Sequence, residues 1–121
     1  KAEQHYQTGL GIAQRLATAD PDNAEHQRDL SISHNRLGDL AVARGDTNKA
    51  EQHYQTDLDI AQRLATADPD NAQYQRDLSI SHNRLGDLAV ARGDTDTAQQ
   101  HHQASTAITQ RLSAGSSGQV L

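Results

Sequence analysis

Residues 1–48 recur as residues 49–96 with 43 of 48 positions identical. The exceptions are Gly9/Asp57, Gly11/Asp59, Glu25/Gln73, His26/Tyr74 and Asn48/Asp96. A worn third copy starts at Thr97 and keeps Ala98, Gln100, His101, Gln103, Ile108, Gln110, Arg111 and Leu112 in register. A unit of this length is one supersecondary element, too small to bury its apolar face alone, so copies must stack on neighbours. Such a chain folds as a repeat array and not as a globule around one central core. Recent duplication and deliberate idealisation both leave this degree of identity.

The available side chains agree with that restriction. Hydrophobic residues make up 34% of the 121, and 18 of them are Ala. Phe, Trp, Met and Cys are absent, and Leu, Ile and Val together supply only 20 residues, too few to fill a sandwich or barrel. Without Cys there is no disulfide scaffold, no thiolate-bound zinc and no thiol nucleophile. A net charge of −5 argues against nucleic acid as a partner, since phosphate binding calls for a basic face. No apolar run approaches the ~20 residues that span a bilayer, and no signal-peptide core is present. A cytoplasmic chain with no membrane partner is the expectation.

Each unit reads as two helices. The first kind (A) is expected over about 69–92, opened by Asp68-Pro69-Asp70-Asn71, with Asp68 as cap and Pro69 in the first helical position. Leu78, Leu85 and Leu88, with Tyr74 and Ala89, share one stripe at helical spacing, and Ile80 and Ala91 extend it sideways. Gly93 suits the left-handed position after the helix, and Asp94 or Thr95 caps the next one. The second kind (B) is clearest over 47–67, where Ala50, Tyr54, Ile60, Ala61 and Leu64 form the apolar stripe. The order is B-A-B-A-B. The expected organisation is a helical repeat domain over 1–112, in units 1–48, 49–96 and a partial 97–112. Residues 113–121, Ser-Ala-Gly-Ser-Ser-Gly-Gln-Val-Leu, have flexible-linker composition and read as a tail, either a tag or a frayed natural terminus.

Leu37-Gly38, then Arg44-Gly45-Asp46, Ala50 and Tyr54 resemble the tetratricopeptide repeat at its spaced positions. The second copy offers Leu85, Gly86, Gly93, Ala98 and His102, with His in the aromatic position. The family's large aromatic near the start of the first helix is His34 and His82 here, and the Tyr after its Gly is Ala41 and Ala89. The period is 48, not the family's ~34, so the chain is most similar to the long-helix bacterial variety. The resemblance implies an all-α fold, a right-handed α-solenoid of antiparallel helix pairs. It also implies a scaffold or adaptor that binds a peptide or protein segment in a groove lined by the A helices. The groove positions are then Ile32, Asn35, Asp39 and Val42, repeated as Ile80, Asn83, Asp87 and Val90, with Arg36 and Arg84 flanking. Chaperone-binding members clamp a terminal carboxylate with Lys and Asn. Asp39 and Asp87 stand where that clamp has Asn, and no Lys lies in either A helix, so a mixed or basic ligand is expected. The plainer reading of Asp39 is a pairing with a neighbouring Arg on a solvated face.

No residue set suggests catalysis, a metal or a cofactor. His5, His53 and His101 recur one repeat apart, and helix axes sit ~8–10 Å apart, too far for one zinc with its ~2 Å bonds. No His pair has the i, i+4 spacing of a helical metal motif, so the seven His read as structural. Arg44-Gly45-Asp46 and Arg92-Gly93-Asp94 spell an adhesion tripeptide, but each residue has a structural role at a helix junction. Asp57 and Asp59 point to different faces of a helix, against a paired acid and base. Ser31 and Ser33 lack a glycine elbow. The expectation is therefore a non-enzyme whose partner is a protein or peptide.

The order B-A-B-A-B opens on a B helix and supplies no polar cap at either end. Tyr6, Ile12 and Leu16 at one end, and Ile108 and Leu112 at the other, are expected as exposed stripes available for self-association. A structural repeat that pairs with its own copies, or acts as a spacer in a larger protein, is the alternative to the peptide groove.

Overall fold

A computed structural model describes residues 2–120, with side chains for residues 2–115. Among the described residues all regular secondary structure is helical: α1 (Ala2–Ala19), α2 (Ala24–Ala43), α3 (Thr47–Ala67), α4 (Ala72–Ala91) and α5 (Thr95–Val120). α2 and α4 are the A-type helices. None of the helices is long and apolar enough to cross a membrane. The expected tail, 113–121, continues α5 in backbone as far as Val120, while Leu121 lies outside the described residues.

The connections are short because each is built from capping residues. α2 ends in Arg44 and Gly45, whose φ of +78° is free of the Cβ strain other residues would meet there. Gly45 N–H donates to the Val42 carbonyl at 3.0 Å and Asp46 N–H to the Ala41 carbonyl at 2.9 Å, the paired bonds of a Schellman motif. Asp46 then starts α3 by accepting from Lys49 N–H at 3.1 Å. The second copy repeats this with Gly93 at φ +77°, and with Asp94 accepting from Thr97 N–H at 3.2 Å. Hydrogen bonds from Thr97 hold the Asp94 carboxyl below its ordinary pKa. The Arg-Gly-Asp tripeptides are thus helix end, left-handed turn and next cap. Arg44 also reaches the Glu3 carboxylate.

The other junction differs from expectation. The caps are Asn23 and Asn71, whose side chains accept from His26 N–H and Tyr74 N–H at 3.1 Å. Pro69 sits in the preceding turn, closed by Asn71 N–H on the Asp68 carbonyl at 3.1 Å. Its own carbonyl receives the Gln75 amide at 3.2 Å. α4 therefore begins at Ala72, three residues later than the proline suggests.

The chain divides into two compact units, residues 1–64 and 65–121. In the first, α1 packs on α2 and buries Leu10, Ala13 and Ala17, while α2 buries Leu37 and Ala41, and α3 buries Ala50, Tyr54 and Ile60. In the second, α4 packs on α5, burying Leu78, Leu85, Leu88 and Ala89 on one side and Ala98, Ser105 and Ile108 on the other. Two side chains assigned to the α4 stripe are outside it: Ile80 is 47% exposed and Ala91 is also exposed. Tyr74 and Leu64 are half-buried.

Close approach of the helices depends on glycine. A Cβ on Gly38 would lie 2.4 Å from the Tyr54 ring, and one on Gly86 would lie 2.6 Å from the His102 ring. The Leu-Gly pair in each A helix thus gives a floor on which the B-type ring rests.

Candidate functional site

The A-type helices present the residues expected to contact a ligand, but α3 has claimed part of the first row. Asn35 donates its amide to Asp57 Oδ2 at 3.0 Å. Asp39 accepts the Tyr54 hydroxyl of α3 at 2.5 Å. Ile32 is half-buried, whereas Arg36 and Val42 stay exposed. The second row is more open: Ile80, Asn83, Asp87 and Val90 are exposed, with Val90 at 58%, and Arg84 is half-buried. Asp87 lies 3.0 Å from His102 Nε2, the position of Tyr54 one repeat earlier.

The end-face residues separate in the same manner. Ile12 and Leu16 are 47% and 44% exposed, and Tyr6 is half-buried. Ile108, expected on an open stripe, is 4% exposed, because α5 turns this residue onto α4. Leu112 is half-buried. The outward side of α5 instead carries Gln103, Thr106, Thr109 and Gln110, all exposed.

In the first unit the two sets meet. Gly9, Ile12 and Leu16 of α1 and Asp29, Ile32 and Arg36 of α2 line one cleft of about 300 Å³. Its walls are aliphatic and its α2 edge carries one carboxylate and one guanidinium. Gly9 has nothing within 4 Å of where a Cβ would sit, which leaves this part of the cleft open.

Sequence reasoning did not anticipate the pairing of histidines. His34 and His53 meet Nδ1 to Nδ1 at 3.0 Å, and His82 and His101 do so at the same distance. In each pair the ring centroids are 5.3 Å apart. The gap between nitrogens is shorter by about the width of a ring, so the two nitrogens point at one another. One imidazole must donate and the other accept, so one proton lies between the two Nδ1 atoms. Burial pushes the His34 pKa down to about 4, with His53 adding to the effect. His53, His82 and His101 are lowered too, chiefly by burial and then by Lys49, His101 and His102 respectively.

A second polar contact lies deeper. Ser31 Oγ donates to Asp57 Oδ1, and Asp57, 4% exposed, takes Asn35 on its other oxygen. In the second unit two hydroxyls replace this arrangement, Ser79 and Ser105 at 2.7 Å. Asp57 is occupied on both oxygens by neutral donors, and Asp59, exposed, accepts from Gln55. Among the described residues no group of three or more His, Cys, Asp or Glu could hold a metal ion. No family model matches the chain, nor does any curated protein or solved structure.

Proposed function

We propose that this chain is a protein–protein interaction scaffold of the tetratricopeptide-like right-handed α-solenoid class, binding a peptide or protein segment along its A-type helices. The observation that carries this reading is exposed aliphatic surface recurring at the repeat spacing. Val42 is 44% exposed on α2 and Val90 58% exposed on α4, each with exposed polar neighbours on the same helix. Isolated apolar side chains are ordinary on a surface. The same residue left open in two successive copies, within a helix that spends its Leu on the core, supports a surface kept for a ligand. Arg36, Asn83 and Asp87 beside these positions suit a peptide of mixed or basic charge. The hydrogen-bonding groups of Asn35 and Asp39 are already used by α3, so they shape the strip more than they contact the ligand.

Selection from a displayed peptide library tests the reading. The intact chain is expected to enrich a common motif, and the double substitution Val42→Asp, Val90→Asp to abolish the enrichment with an unchanged circular-dichroism spectrum. Equal enrichment by both proteins overturns it.

A further inference from the structure

We propose that each histidine pair is a linear, two-coordinate binding site for copper(I). The site is a different feature from the Val42 and Val90 strips and stands without them. In both units one ring comes from an A-type helix and the other from the B-type helix that follows it, His34 with His53 and His82 with His101. The Nδ1 atoms are 3.0 Å apart and the ring centroids 5.3 Å apart. That difference is about two ring radii, so both nitrogens lie close to the line joining the rings, and their lone-pair directions run along it. Metal–imidazole bonds are ~2 Å long, so an ion on that line holds the nitrogens ~4 Å apart at opposite ends of a straight unit. All four rings are half-buried, with solvent on one side, and side-chain rotation alone can part them by the ~1 Å this needs.

The geometry selects the ion. Zinc and copper(II) take four or more ligands at tetrahedral or square angles, which suits converging nitrogens and not opposed ones. Among the described residues no group of three His, Cys, Asp or Glu could hold a metal, so neither pair gains a third such ligand. Imidazole is a good copper ligand, and a closed-shell monovalent ion accepts two nitrogens in a line. The protons balance without net change. In the hydrogen-bonded pair one ring carries its proton on Nδ1 and the other on Nε2. Binding replaces the hydrogen bond by two Nδ1–copper bonds. The donor ring gives its Nδ1 proton to solvent and takes one on Nε2, leaving two neutral rings and one monovalent cation, with no oxidation or reduction. Ligation requires unprotonated rings, and burial lowers the pKa of all four, that of His34 to about 4. Each ion would tie an A helix to the next B helix across the turn at Gly45 or Gly93.

Silver(I) nitrate, a redox-inert ion of the same charge and d10 configuration, is the first probe. It is titrated into the nitrogen-15-labelled full chain in chloride-free buffer at pH 7.5, followed by calorimetry and histidine NMR. One ion per pair is expected, with the Nδ1 resonances of His34, His53, His82 and His101 moving while each Nε2 carries a proton. Copper(I), kept reduced by ascorbate under nitrogen gas, is expected to displace the silver. His34→Gln with His82→Gln is expected to lose at least tenfold in affinity, and exposed His5→Gln to keep both sites. The NMR readout on the parent chain holds even where a variant fails to fold. The proposal is overturned by no binding, by binding that leaves those Nδ1 resonances in place, or by equal affinity of the double variant. Zinc(II) moving the same resonances at equal concentration, or copper(I) failing to displace silver, overturns it too.

Discussion

At the scale of single residues, the histidine pairs make stability depend on pH in a stated direction. His34 binds its proton at about pH 4 in the folded chain against an ordinary value of 6.5, and His53, His82 and His101 shift the same way. Between those values the unfolded chain holds more protons than the folded one. The contribution is therefore fully present above pH 6.5 and is lost as pH falls toward 4. The chemistry of the contact gives the same sign. A first proton leaves the Nδ1-to-Nδ1 hydrogen bond intact, whereas a second places two N–H groups head to head. The melting temperature is expected to drop between pH 7.5 and pH 5, and His34→Gln with His82→Gln to remove most of that drop. Parallel curves for the two proteins would show that the pairs do not carry it.

At the scale of helices, the glycines divide into those that permit an approach and those that do not. Gly38 lies beneath Tyr54, which is 3% exposed and tied by its hydroxyl to Asp39, so the ring has no easy escape. Gly38→Ala is expected to destabilise by about 1–3 kcal/mol, the usual result of overpacking a filled site. Gly86→Ala meets His102, whose side chain is 40% exposed and can swing outward at the cost of its contact with Asp87, so a smaller loss is expected. Gly9 and Gly11 have nothing within 4 Å, and each change to Ala should stabilise α1 by about 0.5–1 kcal/mol through helix propensity. Urea titrations of the four single variants rank these effects, and a Gly38→Ala protein as stable as the parent would remove glycine from the packing argument.

At the scale of the molecule, a chain with no Phe, Trp or Met rests on Ala and a few Leu between helices, so each large side chain matters. Leu85, 5% exposed, occupies the middle of the α4 stripe in the second unit. Leu85→Ala is expected to cost about 2–5 kcal/mol, and Val90→Ala, at 58% exposure, to stay within about 0.5 kcal/mol. Thermal melts of the two variants check this, and comparable loss in both would mean that burial does not set stability here. The polar outward side of α5 and the aliphatic outward side of α1 are the other molecule-scale asymmetry. The outward side of α5 is polar because the third copy has Thr106 and Thr109 at the positions of Leu10 and Ala13, which α1 buries against α2.

The existence of the helices, their order and the turns at Gly45 and Gly93 are written in the sequence, whereas the starts of α2 and α4 and the end of α5 are not. The written features are local matters: Gly45 and Gly93 stop a helix, Asp46 and Asp94 start one, and period 48 copies the result. The sequence also held the signal for the histidine pairs, since His34 and His53 lie on the two arms of the antiparallel hairpin that turns at Gly45. Only the tertiary structure decided how far each helix is rotated about its axis. In helices this rich in Ala the apolar stripe is too broad to fix that angle, so Ile80 joined the surface and Ile108 the core. The same rotation turned Asn35 toward Asp57 and Asp39 toward Tyr54, and it left Ile12 and Leu16 beside Ile32 and Arg36. Repetition writes the same residues into every unit, but what packs against each copy settles which of them remain free to bind.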